Sequence, residues 1–110
     1  FAPGTDPGFL EWFVTEAART DTELLARFVR LMASIDQSTR LHEIRCPVLA
    51  VVPVHHPLAT MEQYEIIRDR VPNCRFVVFE GLPHNITDAV PERCAAELRG
   101  FILGTRLAQA

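Results

Sequence analysis

The sequence predicts an α/β fold organised on a parallel sheet. Two short runs, Val48–Val52 and Arg75–Phe79, are apolar without alternation, as strands buried on both faces are. A helical pattern separates them, which makes a strand–helix–strand unit in about 30 residues. Two further amphipathic patterns precede the first run with no strand between them. The boundary falls near residue 43: residues 1–43 read as a helical segment and residues 44–110 as a β-α-β-α segment.

Residues 1–8 hold two Pro and two Gly and read as a loop. Leu10, Phe13, Val14, Ala17 and Ala18 then recur at helical spacing. Thr20 and Glu23 have the Thr-x-x-Glu spacing of a capping box and predict a second helix start. The stripe of that helix is Leu24, Leu25, Phe28, Leu31, Met32 and Ile35. Cys46-Pro47 punctuates the chain before the first strand, and Pro53 and Pro57 end that strand. Thr60 and Gln63 repeat the capping spacing, and Met61, Tyr64, Ile67 and Val71 carry a helix to about Arg70. Pro72-Asn73 predicts a turn into the second strand. The two strands are expected to lie parallel with a right-handed crossover. Gly81–Asn85 reads as a loop. Pro91 suits the first position of a last helix, with Asp88 and Glu92 at its positive end. Cys94, Leu98, Phe101 and Ile102 form its stripe, and Gly104 is placed as its C-terminal cap. Two strands alone do not make a stable sheet. Both read as interior strands, so the sequence predicts neighbours that it does not itself contain.

Composition narrows the function. The 110 residues are 48% hydrophobic and 23% charged with a net charge of −3, a profile of soluble globular domains rather than disordered chains. There is no basic excess to neutralise nucleic-acid phosphates. All 11 basic residues are Arg, which excludes mechanisms that need a P-loop or Schiff-base lysine and suggests a GC-rich bacterial source. Cys46, Cys74 and Cys94 are widely spaced with no CxxC, as expected of reduced thiols in a cytoplasmic protein. No apolar run approaches the ~18 residues of a membrane span, and no signal-peptide pattern opens the chain. Asn85-Ile86-Thr87 matches the glycosylation acceptor pattern and is read as chance. The sequence opens at Phe1 without Met. With the two orphan strands, this predicts a cleaved chain whose N-terminal partner segment stays bound.

Ligands of open α/β sheets bind at the carboxyl ends of the strands. Two loops fall there. Pro53–Pro57 holds His55 and His56, and Glu80–Asn85 holds His84; His42 lies before the first strand. His55, His56 and His84 have no Asp, Glu or Cys at ligand spacing nearby, so no metal is expected. Trp12 lies off the main stripe of the first helix. With Phe13 and Leu82 it is the candidate for an apolar substrate pocket.

The stretch Ile44-Arg45-Cys46-Pro47-Val48-Leu49-Ala50-Val51-Val52 resembles the start of the penultimate strand of the α/β-hydrolase family. Glu80-Gly81-Leu82-Pro83-His84 resembles the family loop that carries the catalytic histidine, and Val90-Pro91-Glu92 with Leu98–Ile102 resembles its final helix. Residues 9–35 are similar to the helical cap that many members insert. The resemblance covers nearly the whole chain but only the C-terminal part of the family fold. It implies the C-terminal portion of an α/β-hydrolase-like, mostly parallel sheet with a helical cap. It also implies that His84 is the general base, because a serine hydroxyl attacks well only when an imidazole takes its proton. The substrate would be a small apolar ester, lactone, thioester or molecule with an activated C–C bond, and the resemblance implies no cofactor.

Two departures from the family pattern stand out. No G-x-S-x-G, nor its Cys or Asp equivalents, occurs in the chain, so the nucleophile would belong to an N-terminal segment. His56 stands where the family commonly has the triad acid. The acid then comes from the other segment, or the site is a Ser-His dyad, or the chain belongs to a non-catalytic or non-hydrolytic member: an acyltransferase, lyase or cofactor-free oxygenase. Asp36 and Asp88 are acids within the chain, and both read as caps of local turns. A homo-oligomer is compatible with this reading.

Overall fold

Asp6 starts the first helix. Its carboxylate accepts from the Phe9 N–H at 2.8 Å, and Pro7 occupies the first helical position, which needs no N–H donor. The computed structural model describes residues 1–54 and 59–109. In it, helix α1 runs Pro7–Ala18 and helix α2 runs Thr22–Ser34. The cap of α2 corrects the sequence expectation. Asp21, not Thr20, receives the first free amides, Glu23 N–H at 2.9 Å and Leu24 N–H at 3.1 Å. A carboxylate next in line outcompetes the hydroxyl because it also meets the positive end of the helix with a full charge.

A 3-10 helix, Ser38–Glu43, follows, with Asp36 accepting from Ser38 N–H at 2.8 Å. Strand β1 is Val48–Pro53, helix α3 is Met61–Arg70 and strand β2 is Cys74–Phe79. The capping box of α3 is complete: Thr60 N–H donates to Gln63 Oε1 at 2.9 Å, and Gln63 N–H donates to Thr60 Oγ1 at 3.4 Å. A one-turn helix α4, Ile86–Ala89, occupies part of the span expected to be loop, and α5 begins at Pro91 as expected. The expected stop at Gly104 is absent. Helix α5 continues to Gln109, and no positive φ occurs at Gly104. Thr105 Oγ1 donates back to the Phe101 carbonyl at 2.8 Å, and Arg106 onward are helix formers that carry the helix past a single glycine.

The two strands pair in parallel, from Val48 beside Cys74 to Pro53 beside Phe79. Side chains alternate between faces along a strand, so the partners of β2 reveal the layers. Phe76 lies under the Arg68 guanidinium of α3, 5.8 Å from ring centroid to cation. Arg75 and Phe79, on the opposite face, meet Glu97 and Arg93 of α5. Helices α3 and α5 therefore cover opposite faces of one parallel pair, and the fold is mixed α/β.

The buried apolar side chains among the described residues are Val52, Pro53, Val71, Phe79 and Ile86, a small core. By contrast the six stripe residues of α2 are 47–63% exposed, and Leu98 and Ile102 of the expected α5 stripe are also open. No described helix is long and apolar enough to cross a membrane.

Two substitutions test this account. Asp21→Ala should lower unfolding free energy by about 1 kcal/mol in a denaturant titration followed by circular dichroism, whereas Thr20→Ala should change it by less than about 0.5 kcal/mol. Phe79 is wholly buried, so Phe79→Ala should cost about 3–5 kcal/mol and leave little cooperative unfolding.

Candidate functional site

The two strands end together. Val54 N–H donates to the Phe79 carbonyl at 3.3 Å, one step beyond the last register pair, so both following loops leave from the same edge of the sheet. The β1 loop contains His55 and His56, which lie outside the described residues. The acid-position reading of His56 falls there as well.

The β2 loop is built from both sides. On its N-terminal side Phe79 is fully buried, with the Arg93 guanidinium 3.7 Å above its ring centroid. That stack sets a positive charge beside the strand end, where a partly desolvated cation–π contact is worth about 1–2 kcal/mol. Gly81 then turns the chain at φ 71°, in the left-handed region that side chains disfavour. On the C-terminal side the His84 carbonyl accepts from Ile86 N–H at 2.9 Å, at the start of α4. Asn85 closes the turn, its carbonyl accepting from Asp88 N–H at 3.2 Å and Ala89 N–H at 3.1 Å. Ile86 plugs this turn into the core, and its carbonyl accepts from Val90 N–H at 2.9 Å and from the Cys94 thiol at 3.6 Å. The His84 side chain is thus displayed at the surface from a short loop pinned at Phe79 and at Ile86.

The α4 turn is the feature that sequence reasoning missed. Its signal was Asn85 placed three residues ahead of Asp88, around one isolated apolar residue, Ile86. Asp88 accordingly belongs to the first turn of α4 rather than capping α5. Asp36 does cap a turn, as expected. The Ser38 N–H and hydroxyl hold its carboxyl below the usual range, with a smaller contribution from the Arg70 charge.

Trp12 and Phe13 lie on α1, and Leu82 lies in the histidine loop itself. Trp12 and Phe13 join an exposed aromatic cluster on α1, with Phe1 and Phe13 ring centroids 4.9 Å apart and Phe9 and Trp12 5.8 Å apart. Leu82 is half-buried within the histidine loop. An open groove of about 470 Å³ separates the N-terminal loop from α4. Phe9 and Asp6 line one wall, and Thr87, Asp88 and Ala89 line the other. Trp12, Phe13 and Leu82 are not among its lining residues. The groove's α4 wall begins three residues after His84.

Among the described residues no group of three His, Cys, Asp or Glu side chains could hold a metal ion. Cys46, Cys74 and Cys94 are all free thiols. What the arrangement offers chemically is an exposed imidazole on a braced loop at a strand's carboxyl end. No family model, curated protein or solved structure matches this chain.

The lowered pKa of Asp36 has a signed consequence. The charged carboxylate stabilises the turn above its unfolded value of about pH 3.9, and that contribution is lost as pH falls through the lower folded value. Asp36→Asn should therefore flatten the acid limb of a stability profile measured from about pH 2 to 6, and leave its alkaline limb unchanged.

Proposed function

We propose that this chain is the C-terminal part of an α/β-hydrolase-like enzyme and supplies the catalytic histidine, His84, to a site whose nucleophile lies on a separate N-terminal segment. The observation that carries this reading is the position of His84. It stands five residues beyond the buried end of β2, on a loop that leaves the same sheet edge as the β1 loop and is pinned by α4.

In this reading a serine hydroxyl on the partner segment attacks the carbonyl carbon of a small apolar ester, lactone or thioester. As the new C–O bond forms, an imidazole nitrogen of His84 takes the hydroxyl proton. His84 then gives that proton to the departing alcohol or thiol as the bond to the leaving group breaks. Water repeats the sequence to release the acid. No cofactor takes part. The pinned loop matters because a general base must stay within hydrogen-bond reach of the proton it abstracts. The helical segment 1–43, with Trp12 and Phe13 exposed on α1, would cover the site and select the substrate.

A second reading has a specific observation behind it. In the sequence His56 stands where the family that the chain resembles commonly has the triad acid, and an imidazole does not stabilise an imidazolium as a carboxylate does. A non-catalytic or non-hydrolytic member of the same fold accommodates that substitution.

Turnover of an activated ester by the assembled protein separates the two. His84→Ala should lower kcat/KM by about 10³–10⁴-fold if His84 is the base. Unchanged turnover sinks the hydrolase reading. His56→Asp tests the acid: increased turnover would show that the position is degenerate, and unchanged turnover would place the acid on the other segment.

A further inference from the structure

Helix α5 has an outward face that is complementary to itself. Its sheet side is fixed by Arg93 on the Phe79 ring, by the Cys94 thiol on the Ile86 carbonyl and by Glu97 on Arg75. At about 100° per residue, Glu92, Ala96, Arg99 and Leu103 lie within about 40° of the direction opposite Cys94. With Ala95 and Gly100 they line one shallow hollow of about 590 Å³. The hollow points away from the sheet, so strands added beside β1 or β2 would leave it open.

Charge and size distinguish this face. Arg19, Arg27, Arg40, Arg68 and Arg75 each pair with an acid of this chain. Glu92 and Arg99 make no ion pair among the described residues. They sit on one side of the helix, about 10.5 Å apart along its axis. Between them Ala95 and Ala96 are exposed and project only methyl groups. Another helix can therefore approach to about 8 Å, the short end of the usual range.

A two-fold axis through the midpoint between Ala95 and Ala96 lays a second α5 antiparallel over the first. Ala95 then meets the partner's Ala96, Gly100 faces the partner's Pro91, and each Glu92 meets the partner's Arg99. Both unpaired charges are satisfied, and twice over. A parallel arrangement sets Glu92 against Glu92 instead. The same patch used on both copies is the isologous contact of a cyclic dimer. The sheet edge offers a second copy less. Val48 N–H donates to the Asn73 carbonyl and Val54 N–H to that of Phe79, so the residues of β1 that face away from β2 are Leu49 and Val51. The next in that phase are Pro47 and Pro53, which have no N–H to offer.

We infer that the outward face of α5 is the contact of a homodimer, in which two copies of this chain cross antiparallel at Ala95 and Ala96 and form reciprocal Glu92–Arg99 ion pairs. One helix crossing buries less than the ~800 Å² per partner of a standard interface, so the dimer is weak, with a dissociation constant on the order of tens of micromolar at low salt. The contact is independent of the role of His84.

Sedimentation equilibrium of the full chain, from about 10 to about 500 µM, reads the association. The expected result is a monomer–dimer equilibrium that weakens at least about threefold between ~0.05 M and ~0.5 M sodium chloride. Glu92→Arg and Arg99→Glu each set like charges together and should weaken it at least about tenfold. The double variant Glu92→Arg/Arg99→Glu restores opposite charges and should return to within about threefold of wild type. Circular dichroism of each variant checks the fold. Should Glu92→Arg not fold, Ala96→Gln takes its place: it fills the crossing without altering charge and should also weaken the dimer at least about tenfold. A monomer across the whole range overturns the inference, as do single reversals without effect or a double variant as weak as the singles. Association that survives both reversals but is lost on Phe28→Ser belongs to the α2 stripe, and overturns it as well.

Discussion

The structure depends on the closure of the parallel pair at its carboxyl end. There the Phe79 ring is removed from water, the Arg93 guanidinium covers it, and the Phe79 carbonyl holds Val54. Each contact belongs to a different element: β2, α5 and the exit of β1. Loss of the ring would therefore loosen the sheet, the last helix and the origin of both loops together. With only a few other buried side chains to share the work, the core has little redundancy.

The same closure explains why a loop histidine is held in place. Loops carry function when a rigid frame fixes their ends. Here the frame is a strand end on one side and a single plugged turn on the other, and the intervening segment holds one glycine in a left-handed conformation. The imidazole is displayed outward while its backbone is tied inward.

The elements legible from sequence were those with a local physical cause. Thr60 and Gln63 announce α3 because each satisfies the other's backbone amide, and Pro91 announces α5 because its ring already has helical geometry. The apolar runs of β1 and β2 were legible because strands covered on both faces cannot alternate. The misreadings arose where two local signals competed. Asp21 took the cap from Thr20 because its charge suits the helix end, and Gly104 stayed helical because its neighbours on both sides favour helix. Helix α4 was hidden because one turn leaves no periodicity to detect. The exposure of the α2 stripe was illegible for another reason. Spacing shows that Leu24, Phe28 and Leu31 share a face, but not what the face rests on. The histidine position was readable as a residue at a strand's end, whereas its bracing by Ile86 and Cys94 is tertiary.

The prolines flanking β1 have a consequence for how the chain behaves among copies of itself. An unpaired apolar strand invites indiscriminate sheet growth between molecules, the route to aggregation. Pro47 and Pro53 withhold donors at both ends of that edge and leave a ladder of two. Such a ladder is too short to template a growing fibril.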